Sequence, residues 1–124
     1  MNIEFFKSAE LSINAKATIH ATTGKLGFNR NAEKLLNLTD NKYVKIGRSS
    51  DYKDKSLFII PLNNNDLHSF SILKSGAYYY ANTARLFHHL GIDYKNIKVI
   101  YDITEINIDG QKMFKLEYRE IERN

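Results

Sequence analysis

The chain contains no cysteine, which excludes disulfides, thiolate metal ligands and a cysteine nucleophile. That fits a reducing compartment. Tryptophan is missing too, so the bulky core volume has to come from eight Tyr and seven Phe. A single proline and only six glycines argue against long disordered or linker-like stretches. No apolar run approaches the length of a membrane span. The N-terminal residues hold no uninterrupted apolar core of the signal-peptide kind. The expectation is a cytoplasmic protein with no membrane contact.

What is present suits one domain. The 124 residues allow a real core but not two ordinary domains. Hydrophobic residues make up 43% and charged residues 26%, as in ordinary globular proteins. The net charge of +4 is unevenly spread. Residues 1–62 hold ten basic and six acidic side chains, against eight of each in residues 63–124. The positive excess therefore sits in the first half, where it can face phosphate.

Periodicity sketches the elements. Leu11, Ile13, Ala15, Ala17 and Ile19 alternate as in a half-buried strand. Gly24 interrupts, Leu26 and Phe28 are extended, and Asn29 or Asn31 caps a helix carrying Ala32, Leu35 and Leu36. Tyr43, Val44 and Ile46 open a strand. Leu57 to Ile60 form another, which Pro61 is expected to end for want of a backbone donor. Asn63 to Asp66 is the strongest turn signal of the middle. Phe70 and Ile72 then alternate, Gly76 breaks the strand, and Tyr78 and Tyr80 are extended. Asn82 is expected to cap a second helix holding Ala84, Phe87 and Leu90, with Gly91 closing it. Ile97, Val99, Tyr101 and Ile103 alternate. Asp109-Gly110 predicts a tight hairpin turn into Phe114, Leu116 and Tyr118. Glu120 to Asn124 are expected to fray.

The two halves read alike. Gly24 matches Gly76, Phe28 matches Tyr80, Ala32 matches Ala84 and Leu35 matches Phe87, and each copy runs on into a hairpin. The expected fold is therefore α+β: a single domain over 1–124 with a mostly antiparallel, barrel-like sheet. It would comprise two pseudo-twofold strand–helix–strand–strand repeats, about 11–62 and about 67–119, with one short helix each. Neither unit alone can shield both sheet faces and its edges.

Residues 24–61 resemble the AbrB/MazE/MraZ-type swapped-hairpin, or looped-hinge, DNA-binding family. The likeness rests on Gly24-Lys25-Leu26-Gly27-Phe28, the helix with Ala32 and Lys34, Leu36-Asn37-Leu38, and Tyr43-Val44-Lys45-Ile46. Asn29 stands where the family usually has proline, Gly27 where it has an apolar residue, and Glu33 replaces one of a basic pair. The resemblance implies a DNA-binding transcriptional regulator or antitoxin-like protein that meets duplex DNA through the loop and helix of the first repeat. Carried over by position, it singles out Lys25 and Lys34. Arg30 joins them on charge and place, with a guanidinium suited to guanine. Lys16, Lys45 and Arg48 are peripheral candidates.

Other patterns point to packing. Tyr78 and Tyr80 share one strand face and Tyr79 the other, so the former pair is expected inside and Tyr79 alone outside. His88 and His89 diverge on a helix and do not chelate one ion; His20 and His68 lack ligand spacing. No metal, cofactor or catalytic set is expected, and the chain is read as non-enzymatic. The alternative is a protein-interaction module on a barrel that does not bind DNA. The reading leaves room for a protein partner and for a homodimer.

Overall fold

The computed structural model describes residues 1–5, 14–50 and 55–122. In chain order the elements are β1 (Lys16–Ile19), β2 (Leu26–Phe28), α1 (Arg30–Leu36), β3 (Tyr43–Gly47), β4 (Leu57–Leu62), β5 (Ser69–Ser75), β6 (Tyr78–Ala81), α2 (Ala84–His89), β7 (Ile97–Ile108) and β8 (Gln111–Glu122). The fold is α+β and mostly antiparallel, with two short helices. Leu11 and Ile13, read as the start of the first strand, lie outside the described residues. So do residues 51–54 of the polar loop after β3.

Every strand pairing is antiparallel. The hydrogen-bonded order is β1, β2, β6, β5, β3, β4, β8, β7, and β7 returns to β1. The ladder thus closes on itself, and among the described residues no strand is left with a wholly unpaired edge. That removes the exposed backbone donors and acceptors an open sheet would present.

The alternation seen in the sequence carries through to burial. Ala17, Ile19, Val44, Ile59, Val99, Tyr101 and Leu116 are fully enclosed, and their neighbours along each strand are more exposed. Burying a large apolar side chain contributes about 1.5–3 kcal/mol each. Ala32 and Leu36 turn toward this core from α1, whereas Leu35, expected on the same inner stripe, is 37% exposed; Phe87 turns inward from α2. Phe87 stacks on Tyr101 at 6.4 Å between ring centroids. The Tyr101 hydroxyl has no hydrogen-bond partner among the described residues. Burial pushes its pKa up.

Asn29 caps α1: its side-chain oxygen accepts from the Ala32 N–H at 2.9 Å and from the Lys16 N–H at 3.0 Å. One residue therefore starts the helix and ties it to β1. Asn37 ends the helix at φ 51°, in the left-handed region that asparagine tolerates. Gly91 takes the corresponding place after α2, and Asp109 and Gly110 both have positive φ in the β7–β8 turn, as expected.

Four further expectations are corrected. Pro61 does not end β4; it sits within the strand opposite Val44. Beyond Ile59, β4 has parted from β8, and such an edge tolerates proline. The N-cap of α2 is Thr83, not Asn82, and the Thr83 hydroxyl is drawn to another chain segment instead of capping the helix. Glu120 to Glu122 are not frayed: β8 runs to Glu122, held by Ile97 to Val99 of β7; Arg123 and Asn124 lie outside the described residues. The faces of the tyrosine run are also reversed. Tyr79 is buried, Tyr78 is 42% exposed and Tyr80 is half-buried. Ala81 packs inside without exposure, and the pleat then puts Tyr79 on its side of β6. Among the described residues, no helix is long and apolar enough to cross a membrane.

Candidate nucleic-acid interface

The reversed tyrosines build the most distinctive surface of the molecule. On the outer face of β6, Tyr78 and Tyr80 stack with centroids 6.0 Å apart and planes inclined by 21°. β2 lies next to β6, with Gly27 opposite Tyr80. Gly27 has no side chain to contest the space, and Tyr78 lies across it: a Cβ built there would fall on the Tyr78 hydroxyl and ring. Gly27 is thus the floor on which Tyr78 rests. Partial burial raises the Tyr78 pKa.

Cations surround these rings. The Lys25 ammonium stands 4.5 Å from the Tyr80 centroid. Lys74 and Lys42 approach the Tyr79 ring at 5.4 and 5.8 Å. Ammonium groups over ring faces are attracted by the ring quadrupole; Lys25 does so on the outer face, and Lys74 and Lys42 at the buried Tyr79 on the opposite face. Beside Tyr78 opens a cavity of about 640 Å³, with Arg30, Lys74, Glu33 and Thr18 on its wall. That volume lies within the ~300–1,000 Å³ range of small-molecule sites.

The residues singled out from sequence fall as follows. Arg30 and Lys34 are both exposed and stand four positions apart on α1, hence on one side of the helix. They open onto different depressions, Arg30 beside Tyr78 and Lys34 beside Asn14 and Asp102. Lys25 stands at the end of the β1–β2 turn and lines neither. It connects to the Arg30 cavity only through the rings, Tyr80 and then Tyr78. The three cations therefore do not line one cavity. Of the peripheral candidates, Lys45 is engaged by Asp66 at 3.1 Å. The His68 backbone N–H and that ammonium hold the Asp66 carboxyl below its usual range.

Gly24, which opens the family-like stretch, has φ +71°, and a Cβ there would stand 2.8 Å from the Tyr94 hydroxyl. Its carbonyl accepts from the Thr83 hydroxyl. Tyr94 in turn meets His88 at 3.1 Å. Gly24 therefore docks the β1–β2 turn onto α2. Its role here is packing. Among the described residues, no three His, Asp or Glu side chains gather as metal ligands.

Sequence reasoning missed Lys74, Lys42 and Gly27 as parts of this surface. Lys74 sits in the electrically neutral half and Lys42 in the positive one, and nothing in the local sequence ties either to the tyrosines. No family model matches this chain, and neither the curated proteins nor the solved structures hold a match to it.

Proposed function

We propose that this protein binds nucleic acid, docking duplex DNA against α1 and the end of the β1–β2 turn. The observation that carries the reading is the pair Arg30 and Lys34, exposed one helical turn apart in the half that holds the positive excess. Lys34 and Lys25 anchor phosphates, and Arg30 presents a planar donor fork for a base edge. Affinity built on such contacts falls steeply with salt as counterions are no longer released into a dilute medium.

The test is fluorescence anisotropy with labelled duplex DNA at two salt concentrations. Binding at low salt that weakens with added salt, and weakens again in Lys25→Ala plus Lys34→Ala, is expected. No binding at low salt, or indifference to the double substitution, removes the reading.

The architecture behind this is a barrel of two pseudo-twofold repeats. Exchanging β1–β4 for β5–β8 leaves every strand pairing in the ring in place, which supports it. Gly24 and Gly76, at matching stations, both have positive φ. Superposing residues 16–62 on 69–122 in an experimental structure tests the symmetry.

A second reading is a protein-interaction module, favoured by the far end of the β7–β8 hairpin. Among the described residues, the β1–β7 pairs reach Asp102, with one further bond from the Ile103 N–H to the Ala15 carbonyl, and the β4–β8 pairs reach Phe114. The tip beyond carries Ile108, which is 41% exposed. Recovery of a stoichiometric protein partner without nucleic acid would favour this reading over the first.

A further inference from the structure

We propose that the cavity beside Tyr78 is a site for an unpaired nucleotide, its base stacked on the Tyr78 ring and its phosphate held between Arg30 and Lys74. The inference rests on the nucleic-acid reading above and adds to it a subsite that duplex binding does not require.

Three features of the site lead there. The first is an exposed aromatic face. Tyr78 is the large exposed ring of this surface, and its other contacts already hold it in place: Tyr80 stacks beside it and Gly27 lies beneath it. A ring fixed before the ligand arrives loses little freedom on binding. Second, the cavity wall carries two cations of different geometry. Arg30 supplies a planar fork and Lys74 a point charge, the combination that holds phosphate oxygens. Third, Glu33 stands on the same wall, an acceptor for a base N–H, such as the N3–H of thymine, or a sugar hydroxyl. Glu33 also makes the site selective, because a bare anion gains the two cations but meets the carboxylate without a donor to satisfy it.

A base paired in a duplex has its faces covered by neighbours and cannot stack on Tyr78. The ligand is therefore a nucleotide free of pairing, in a single strand or alone in solution. Stacking on an aromatic side chain accepts any base, so the site reads the unpaired state and not a sequence.

The experiment uses the full chain and fluorescein-labelled oligothymidylate, which forms no duplex with itself, at low salt. Thymidine monophosphate is the competitor. Binding is expected to weaken by about 10-fold or more in Tyr78→Ala and to persist in Tyr78→Phe, which keeps the ring. Gly27→Val, which pushes the ring off its floor, should resemble Tyr78→Ala. Displacement by the monophosphate at concentrations comparable to the oligonucleotide identifies a free nucleotide as the ligand; displacement only by the oligonucleotide identifies a strand. Either result upholds the site. No binding of either probe overturns it, as does binding that Tyr78→Ala leaves unchanged, which would reflect charge attraction alone. Duplex binding measured in parallel separates the two proposals. Tyr78→Ala leaves it intact, whereas Lys25→Ala plus Lys34→Ala weakens it.

Discussion

The Thr83 hydroxyl donates a 2.9 Å hydrogen bond to the carbonyl of Gly24, 59 residues earlier in the chain, and both residues are buried. It fastens the turn between β1 and β2 to the start of α2. Removing the donor leaves a buried carbonyl without that partner, which costs about 1–3 kcal/mol. Thr83→Val should therefore lower stability by that amount in urea denaturation with little change in the slope. Gly24→Ala should cost more, because it combines a left-handed φ with a clash against Tyr94 and Ala84.

Tyr101 predicts the opposite sign. Its hydroxyl is buried and has no partner among the described residues, while the ring packs on Phe87 and Tyr118. Tyr101→Phe keeps the ring and removes the desolvated oxygen. Stability should rise by about 1 kcal/mol, or at least not fall, in the same denaturation measurement. A loss above that size would show that the hydroxyl has a partner.

Asn29 performs two jobs with one side-chain oxygen, capping α1 and accepting from Lys16 of β1. Asn29→Ala should cost about 1–2 kcal/mol, and Asn29→Asp should recover only part of it, since a carboxylate serves both N–H groups but loses the bond the Asn29 amide donates to the Asn14 carbonyl. Helical circular dichroism followed through thermal unfolding is the readout.

Alkaline pH acts through Tyr118. Burial, and then its hydrogen bond to the Glu120 carboxylate, push its pKa up to about 12 from 10.0. In that window the folded protein keeps a proton that the unfolded chain has released. Stability is therefore unaffected below pH 10 by this group and falls as pH rises from about 10 to about 12. Tyrosinate absorbance should show a late-ionising ring that Tyr118→Phe removes, and Glu120→Gln should shift it to lower pH.

Much of the fold was legible because burial follows a period of two along a strand. Val99, Tyr101 and Ile103 alternate in the sequence and are buried in the structure. Asp109-Gly110 and Gly91 were legible because only certain backbone angles fit their turns. The face of Tyr78 to Tyr80 was not legible. Three identical residues give no clue to which side of a strand is inner, and the choice was made by Ala81 on the same strand and Gly27 on the next one. The candidate site was hidden for the same reason: Lys74 and Arg30 are 44 positions apart, and the β2–β6 pairing is what joins their surroundings. Thr83 escaped notice because its partner, Gly24, is distant in the chain.

Around the ring, two strands from before the Asn-rich link alternate with two from after it. Each half is thereby threaded through the other, and cutting the chain at residues 63–65 would leave the two pieces gripping one another along four seams. Made separately, neither piece has the neighbours its strands need. Mixed, they should rebuild the whole molecule from two polypeptides.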